Sequence, residues 1–236
     1  MHHFGNTRSA RHPHHLIQTP DTFVRAPLPG MRGATAIVHA APAIGAKFTQ
    51  YTAEFEAGGS VAPNREQRFI YVLEGSIAAG DSILHAGGYA WLPPQSGAGL
   101  QAAGIARAVI IEKPYMPLEG VNQPAIVTGS EHNVAPVFLM GDEHLEVRSL
   151  LPAGPAFDMA VNTMTFQPGA SLPMVEIHVM EHGLLMLEGG GIYRLGENWY
   201  PAAAGDFIWM APFLPQWFGA LGKVPTKYLI YKDWNR

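Results

Sequence analysis

Four residues toward the C-terminal end carry side chains that could hold a metal ion. They are Glu176, His178 and His182 in the run Glu176-Ile177-His178-Val-Met-Glu-His182, and Gln216 in Ala211-Pro-Phe-Leu-Pro-Gln216. Histidine is the commonest transition-metal ligand, and a carboxylate adds charge and a hard oxygen. Successive side chains of a strand alternate between its two faces. Glu176, His178 and His182 are all even-numbered, so a single strand would aim all three to one side, and a neighbouring strand could add Gln216. The chain has no cysteine. Any metal here takes N and O ligands, a set that suits Mn(II), with Fe(II) or Zn(II) as competitors.

The elements that must position these residues are strands. Gly (26) and Pro (20) punctuate short apolar or alternating runs, a spacing that predicts an all-β sandwich or barrel. The runs are Phe48–Phe55, Phe69–Leu73, Tyr89–Leu92, Met164–Phe166, Gly183–Leu187, Phe207–Met210 and Tyr228–Tyr231. No long amphipathic helix is evident. The chain also repeats itself. Phe69-Ile-Tyr-Val-Leu-Glu-Gly75 parallels Leu184-Leu-Met-Leu-Glu-Gly189, and Ala86-Gly-Gly-Tyr-Ala-Trp-Leu-Pro-Pro94 parallels Ala204-Gly-Asp-Phe-Ile-Trp-Met-Ala-Pro212. A period of half the chain means two copies of one domain. The expected division is 1–122, an N-terminal tail and first domain, and 123–236, a second domain. Five His in the first 15 residues (His2, His3, His12, His14, His15) read as a polar, mobile tail.

With 236 residues, 47% hydrophobic and 14% charged, the chain is globular rather than disordered. A net charge of −4 with scattered basic residues gives no nucleic-acid footprint. No apolar run reaches membrane-span length, and no secretory leader is evident, so the default expectation is a soluble cytoplasmic protein.

Each half resembles a cupin, the small double-stranded β-helix (jelly-roll) barrel. Gly169, Glu176, His178, His182 and Gly189 follow the first cupin motif, with Glu and His exchanged. Gly205-Asp206, Pro212 and Gln216 follow the second, with Gln in place of the usual His. The first half keeps this frame but has Ala62, Asn64, Arg68 and Ala98 opposite the four ligands. It is therefore expected to be metal-free and structural or dimer-forming. The swapped set, Glu-x-His-x3-His followed by Gln, is similar to the (S)-ureidoglycine aminohydrolases, manganese bicupins of allantoin (purine) catabolism. The resemblance is densest from Glu176 to Arg236, through the segments 188–201, 208–217 and Tyr228-Leu-Ile-Tyr-Lys232-Asp-Trp-Asn-Arg236. It implies a Mn(II) site at Glu176, His178, His182 and Gln216, and a ureido-acid substrate whose amino group is replaced by water.

Tyr228 and Lys232 share one face of the last expected strand. On spacing alone Lys232 could lie at the surface. The resemblance implies that both face the metal pocket with Tyr193, which would make Lys232 a proton donor, acceptor or cationic clamp. The tyrosines could be substrate-binding or plain barrel aromatics. Glu188, Glu197 and Asp206 sit at turns and read as solvated or capping acids. A dioxygenase or oxalate-type decarboxylase would want three His and one Glu, which Gln216 disfavours. A non-enzymatic small-molecule-binding cupin would need no inward lysine. Bicupins commonly associate through barrel faces, so a homodimer or larger homo-oligomer is expected.

Overall fold

The computed structural model describes residues 6–233; His2, His3, Trp234, Asn235 and Arg236 lie outside the described residues. Among the described residues the only helices are three-residue 3-10 turns, and every expected strand is present, most of them longer than the apolar run that signalled them. The chain divides into two compact units that interleave in sequence. One comprises the chain up to Phe23, Pro136–Ser149 and the residues from Met159; the other is Val24–Ala135 with Leu150–Asp158.

In the second of these units, the 13-residue strand Thr49–Val61 is the hub. It pairs with Met31–Ala40, Leu100–Ala102 and Ala106–Lys113. Gln67–Glu74 lies between Ala106–Lys113 and Gly88–Leu92. Its core is aliphatic and aromatic, with Tyr51, Ile70, Val72, Leu92 and Ile110 buried. The segment Leu150–Asp158 is held by polar anchors as well as apolar contact. Asp158 has no exposed surface, accepts from Gln67 Nε2 at 2.7 Å and the Met116 amide at 2.8 Å, and stands 3.3 Å from Lys113 Nζ.

The unit that carries the candidate ligands has two sheets around one core. The eight-stranded sheet runs Ala10–His12, His15–Gln18, Phe207–Met210, His182–Glu188, Thr226–Asp233, Met159–Phe166, Leu145–Ser149, Val137–Phe138. The four-stranded sheet runs Glu176–Ile177, Pro215–Ala220, Gly190–Leu195, Asn198–Ala203. Alternation sends Leu184, Met186, Ile208, Tyr228 and Ile230 of the first and Tyr193, Leu195, Phe218 and Ala220 of the second into the same core. Close sheet approach needs small residues where strands touch. A Cβ on Gly191 would sit 2.1 Å from the Gly219 carbonyl oxygen.

The structure corrects two expectations. The N-terminal segment is not a mobile tail over its described part. His15–Gln18 extends the ligand-bearing sheet by pairing with Phe207–Met210, burying Ile17 completely. Arg8 clamps the buried Asp206 through Nη1 at 2.5 Å and Nη2 at 2.9 Å, so Asp206 is a buried ion-pair partner as well as a turn cap for the Ala203 amide. These residues therefore belong with the second barrel. The first barrel in turn extends past 122, since Val127–Ser130 pairs with Gly88–Leu92.

Candidate metal centre

The three ligands of the first motif do not share one strand. Glu176–Ile177 is a two-residue strand of the small sheet, the chain turns over residues 178–181, and His182 opens a strand of the large sheet. Alternation along one strand does not apply, because the chain changes sheets between His178 and His182. The side chains still meet, because the two sheets face one core. Glu176 pairs directly with Gln216. His178 Nε2 lies 3.0 Å from Glu176 Oε2, and the His178 and His182 rings stand 5.0 Å apart, edge to face. The Phe213 amide donates to the His178 carbonyl at 2.6 Å, with Phe213 itself in the left-handed region at φ 63°. That tether fixes the loop bearing His178 against the turn that leads into Gln216.

Across the large sheet, directly paired residues point the same way. The row through His182 runs His15, Met210, His182, Lys232, Ala160. Lys232 is thus the inward neighbour of His182, and Asn162 lies one inward step along from Ala160. His15 reaches this row from the N-terminal strand and meets the Tyr200 hydroxyl at 2.9 Å through Nε2. Sequence reasoning missed His15 because its partner strand, Phe207–Met210, lies near the other end of the chain, and only the adjacent apolar pair Leu16-Ile17 hints at a strand there. Glu181, next to His182, faces the other way and takes the Trp209 indole N–H at 3.0 Å.

Burial dominates the electrostatics. His182 is 2% exposed, and its pKa falls to about 3, chiefly from burial and then from Lys232 and His178 nearby. The ring is neutral, as a metal ligand must be. The backbone carbonyls of Glu181 and Tyr231 favour its protonation slightly, yet neither ring nitrogen makes a hydrogen bond. Burial also lowers Lys232, opposed by the Glu176 carboxylate. Tyr193 and Tyr228 are pushed well up by burial, with Glu176 adding to both. One carboxylate is felt by both phenols and the ammonium, so these groups converge on one place. The Tyr193 hydroxyl donates to Gln216 Oε1 at 3.1 Å, and the Tyr228 hydroxyl to Met164 Sδ at 3.3 Å. Tyr193 is therefore a support for Gln216 rather than an outward aromatic.

Among the described residues, no three His, Asp or Glu side chains are gathered tightly enough to hold a metal as they stand. His178 Nε2 and Glu176 Oε2 engage each other instead. The donor set nonetheless fits a divalent ion. It offers two imidazoles, one carboxylate and one amide oxygen, and among the described residues neither buried ring nitrogen of His182 has a hydrogen bond within normal geometry.

Comparison with known proteins agrees with this architecture. A cupin domain model matches residues 162–231. The chain is 40% identical to the (S)-ureidoglycine aminohydrolase of Arabidopsis thaliana, over 98% of this chain and 80% of that protein. It is 30% identical to the (S)-ureidoglycine aminohydrolase of Escherichia coli strain K12, over 98% and 93%. The crystal structure of the E. coli protein YlbA superposes with a TM-score of 0.85 at 29% identity, covering 98% of this chain and 95% of that one. On these grounds the chain, an all-β bicupin, belongs to the (S)-ureidoglycine aminohydrolase family.

Proposed function

We propose that this chain is a hydrolase converting (S)-ureidoglycine and water to (S)-ureidoglycolate and ammonia, a step of allantoin catabolism. The observation that carries the reading is the similarity to two proteins of that name along 98% of the chain. The site's chemistry supports it. Glu176, His178, His182 and Gln216 would hold Mn(II), for which Fe(II) or Zn(II) could substitute. One carboxylate leaves the centre with a formal charge near +1, and a bound divalent ion supplies positive charge that orients a bidentate substrate and stabilises developing anionic character.

The chain's own residues do the rest. Neutral His182 keeps a lone pair available. Tyr193 holds the Gln216 side chain by its oxygen. Lys232, inward and beside His182, is placed to clamp the substrate carboxylate or to hand a proton to the departing nitrogen. In the reaction the bond from the central carbon to the amino nitrogen breaks, a bond to a water oxygen forms, and the leaving nitrogen gains a proton. Tyr228, fully buried with a raised pKa, stays a neutral hydroxyl. No described helix is long and apolar enough to cross a membrane. Exposed apolar side chains at Met174, Ile177, Val179 and Phe213 beside the site support association of copies into a homodimer or larger assembly.

The test is ammonia release from freshly prepared (S)-ureidoglycine by protein stripped with chelator and then reloaded with Mn(II). Release restored by Mn(II) and reduced at least ~100-fold in Lys232→Met is expected, the order of loss for a missing acid/base group. Undiminished release by the stripped protein would exclude the metal.

A further inference from the structure

The first barrel has a cavity where the second has its ligands. Arg68 pairs with Glu112 on one side and Leu92 on the other, just as His182 pairs with Lys232 and Met210. Ala62 and Asn64 precede Arg68 by the same intervals at which Glu176 and His178 precede His182. Around these positions lies a cavity of about 220 Å³, lined by Tyr51, Ala62, Asn64, Arg68 and Glu112 with an apolar wall that includes Met31. At the positions where the second barrel has its candidate ligands, the first has a polar pocket.

Its groups are only half used. Arg68, 4% exposed, donates through Nε to Glu112 Oε1 at 2.6 Å and through Nη1 to the Ala62 carbonyl at 3.0 Å. The Tyr51 hydroxyl also donates to Glu112 Oε1, at 3.2 Å. Among the described residues no hydrogen bond engages Arg68 Nη2 or Glu112 Oε2, and neither atom is sealed from solvent. One cavity therefore offers an unused guanidinium donor beside an unused carboxylate acceptor, while the two charges cancel each other. A lone anion or cation gains little there, because each charge it could answer is already paired. A molecule that presents a carbonyl oxygen next to N–H groups satisfies both at once. The cavity, at about 220 Å³, is smaller than the ~300–1,000 Å³ usual for a drug-sized ligand and suits a small molecule.

We infer that the first barrel binds a small uncharged urea or amide at Arg68 and Glu112. The site is separate from the proposed hydrolytic centre and does not depend on its activity.

Met31 supplies the readout. In full-length protein carrying ¹³C-methyl methionine, N-methylurea and acetamide are titrated while the Met31 methyl resonance, identified with Met31→Leu, is followed. A saturable shift is expected with N-methylurea, acetamide or both, their relative affinities separating the two sources, and no saturable shift with acetate or methylammonium. Glu112→Gln turns the free acceptor into a donor and should weaken binding at least ~10-fold. Ala62→Leu narrows the cavity while keeping the backbone carbonyl that accepts from Arg68, and should abolish the shift, which keeps the test valid if Glu112→Gln folds poorly. The inference is overturned by no saturable shift with either neutral probe, by an equal shift with either ion, or by a shift unchanged in Ala62→Leu. Ammonia release plays no part in the readout, so failure here and failure of the proposed hydrolysis are distinguishable.

Discussion

Replacing Tyr193 by Phe isolates one hydrogen bond at the centre of the proposed site. The phenol is 1% exposed and donates to Gln216 Oε1 at 3.1 Å, while its ring packs on Phe218 at 5.4 Å between centroids. Phe keeps the ring contact and deletes only the donor. In the metal-free protein, Gln216 is 3% exposed and its oxygen would be left without that donor. Such a group costs ~1–3 kcal/mol. For a domain of this size that lowers Tm by roughly 2–4 °C per kcal/mol. The larger signature is in metal binding. If Gln216 Oε1 is a ligand, Tyr193 fixes its direction, and loss of such a support weakens metal affinity ~10–100-fold. Tyr228→Phe is the matched control. Its hydroxyl reaches only a thioether sulfur at 3.3 Å, so that variant should leave metal affinity within ~3-fold and stability within ~1 kcal/mol. Mn(II) titration by calorimetry, alongside thermal melts of the stripped proteins, reads both quantities. Equal metal affinity in Tyr193→Phe and wild type would refute the assignment of Gln216 as a ligand oriented by Tyr193.

Further outcomes follow from the rest of the fold. Ile17→Ala should cost ~2–5 kcal/mol in chemical denaturation, as for any fully buried aliphatic side chain, and a neutral result would mean that the N-terminal strand is not docked. Arg8→Ala strips the charge partner from Asp206, which has no exposed surface; with Arg8 itself 41% exposed, the loss should be ~2 kcal/mol, smaller than for a fully buried pair. Burial lowers His39 from 6.5 to about 3, so the fold favours its neutral form. Its stabilising effect is complete above pH 6.5 and is lost as pH falls from there toward 3. Between pH 6.5 and 5.0 it should remove ~2 kcal/mol from urea-unfolding stability, and His39→Gln should flatten that slope by the same amount.

The strands were legible because their apolar runs are interrupted by turn residues, and the duplication because the two Glu-Gly turns and the Gly-x-aromatic-x-Trp segments recur. The ligands were legible as residue types at motif spacings, but their geometry was not. Alternation predicted one strand for Glu176, His178 and His182, whereas the chain crosses between sheets after His178, and the convergence comes from two sheets facing one core. The role of the N-terminus was hidden for a related reason. Its histidines suggest polarity, yet the pairing of His15–Gln18 with Phe207–Met210 is a contact across nearly the whole chain, which local periodicity cannot report. Asp206 read as a turn acid and is one, but its ion pair with Arg8 spans the same distance. In the first barrel the absence of metal ligands was plain, while the pairing of Arg68 with Glu112 required the register of two strands 44 residues apart.

In the proposed function the second barrel, through His182 and its neighbours, hydrolyses (S)-ureidoglycine. Ammonia release is to be measured from fresh (S)-ureidoglycine with Mn(II)-loaded wild type, His182→Ala and Arg68→Gln, each checked for folding by circular dichroism. Rapid release is expected from wild type, at least ~100-fold less from His182→Ala, and near wild-type release from folded Arg68→Gln. Background-level release by wild type, or full activity in His182→Ala, would contradict it.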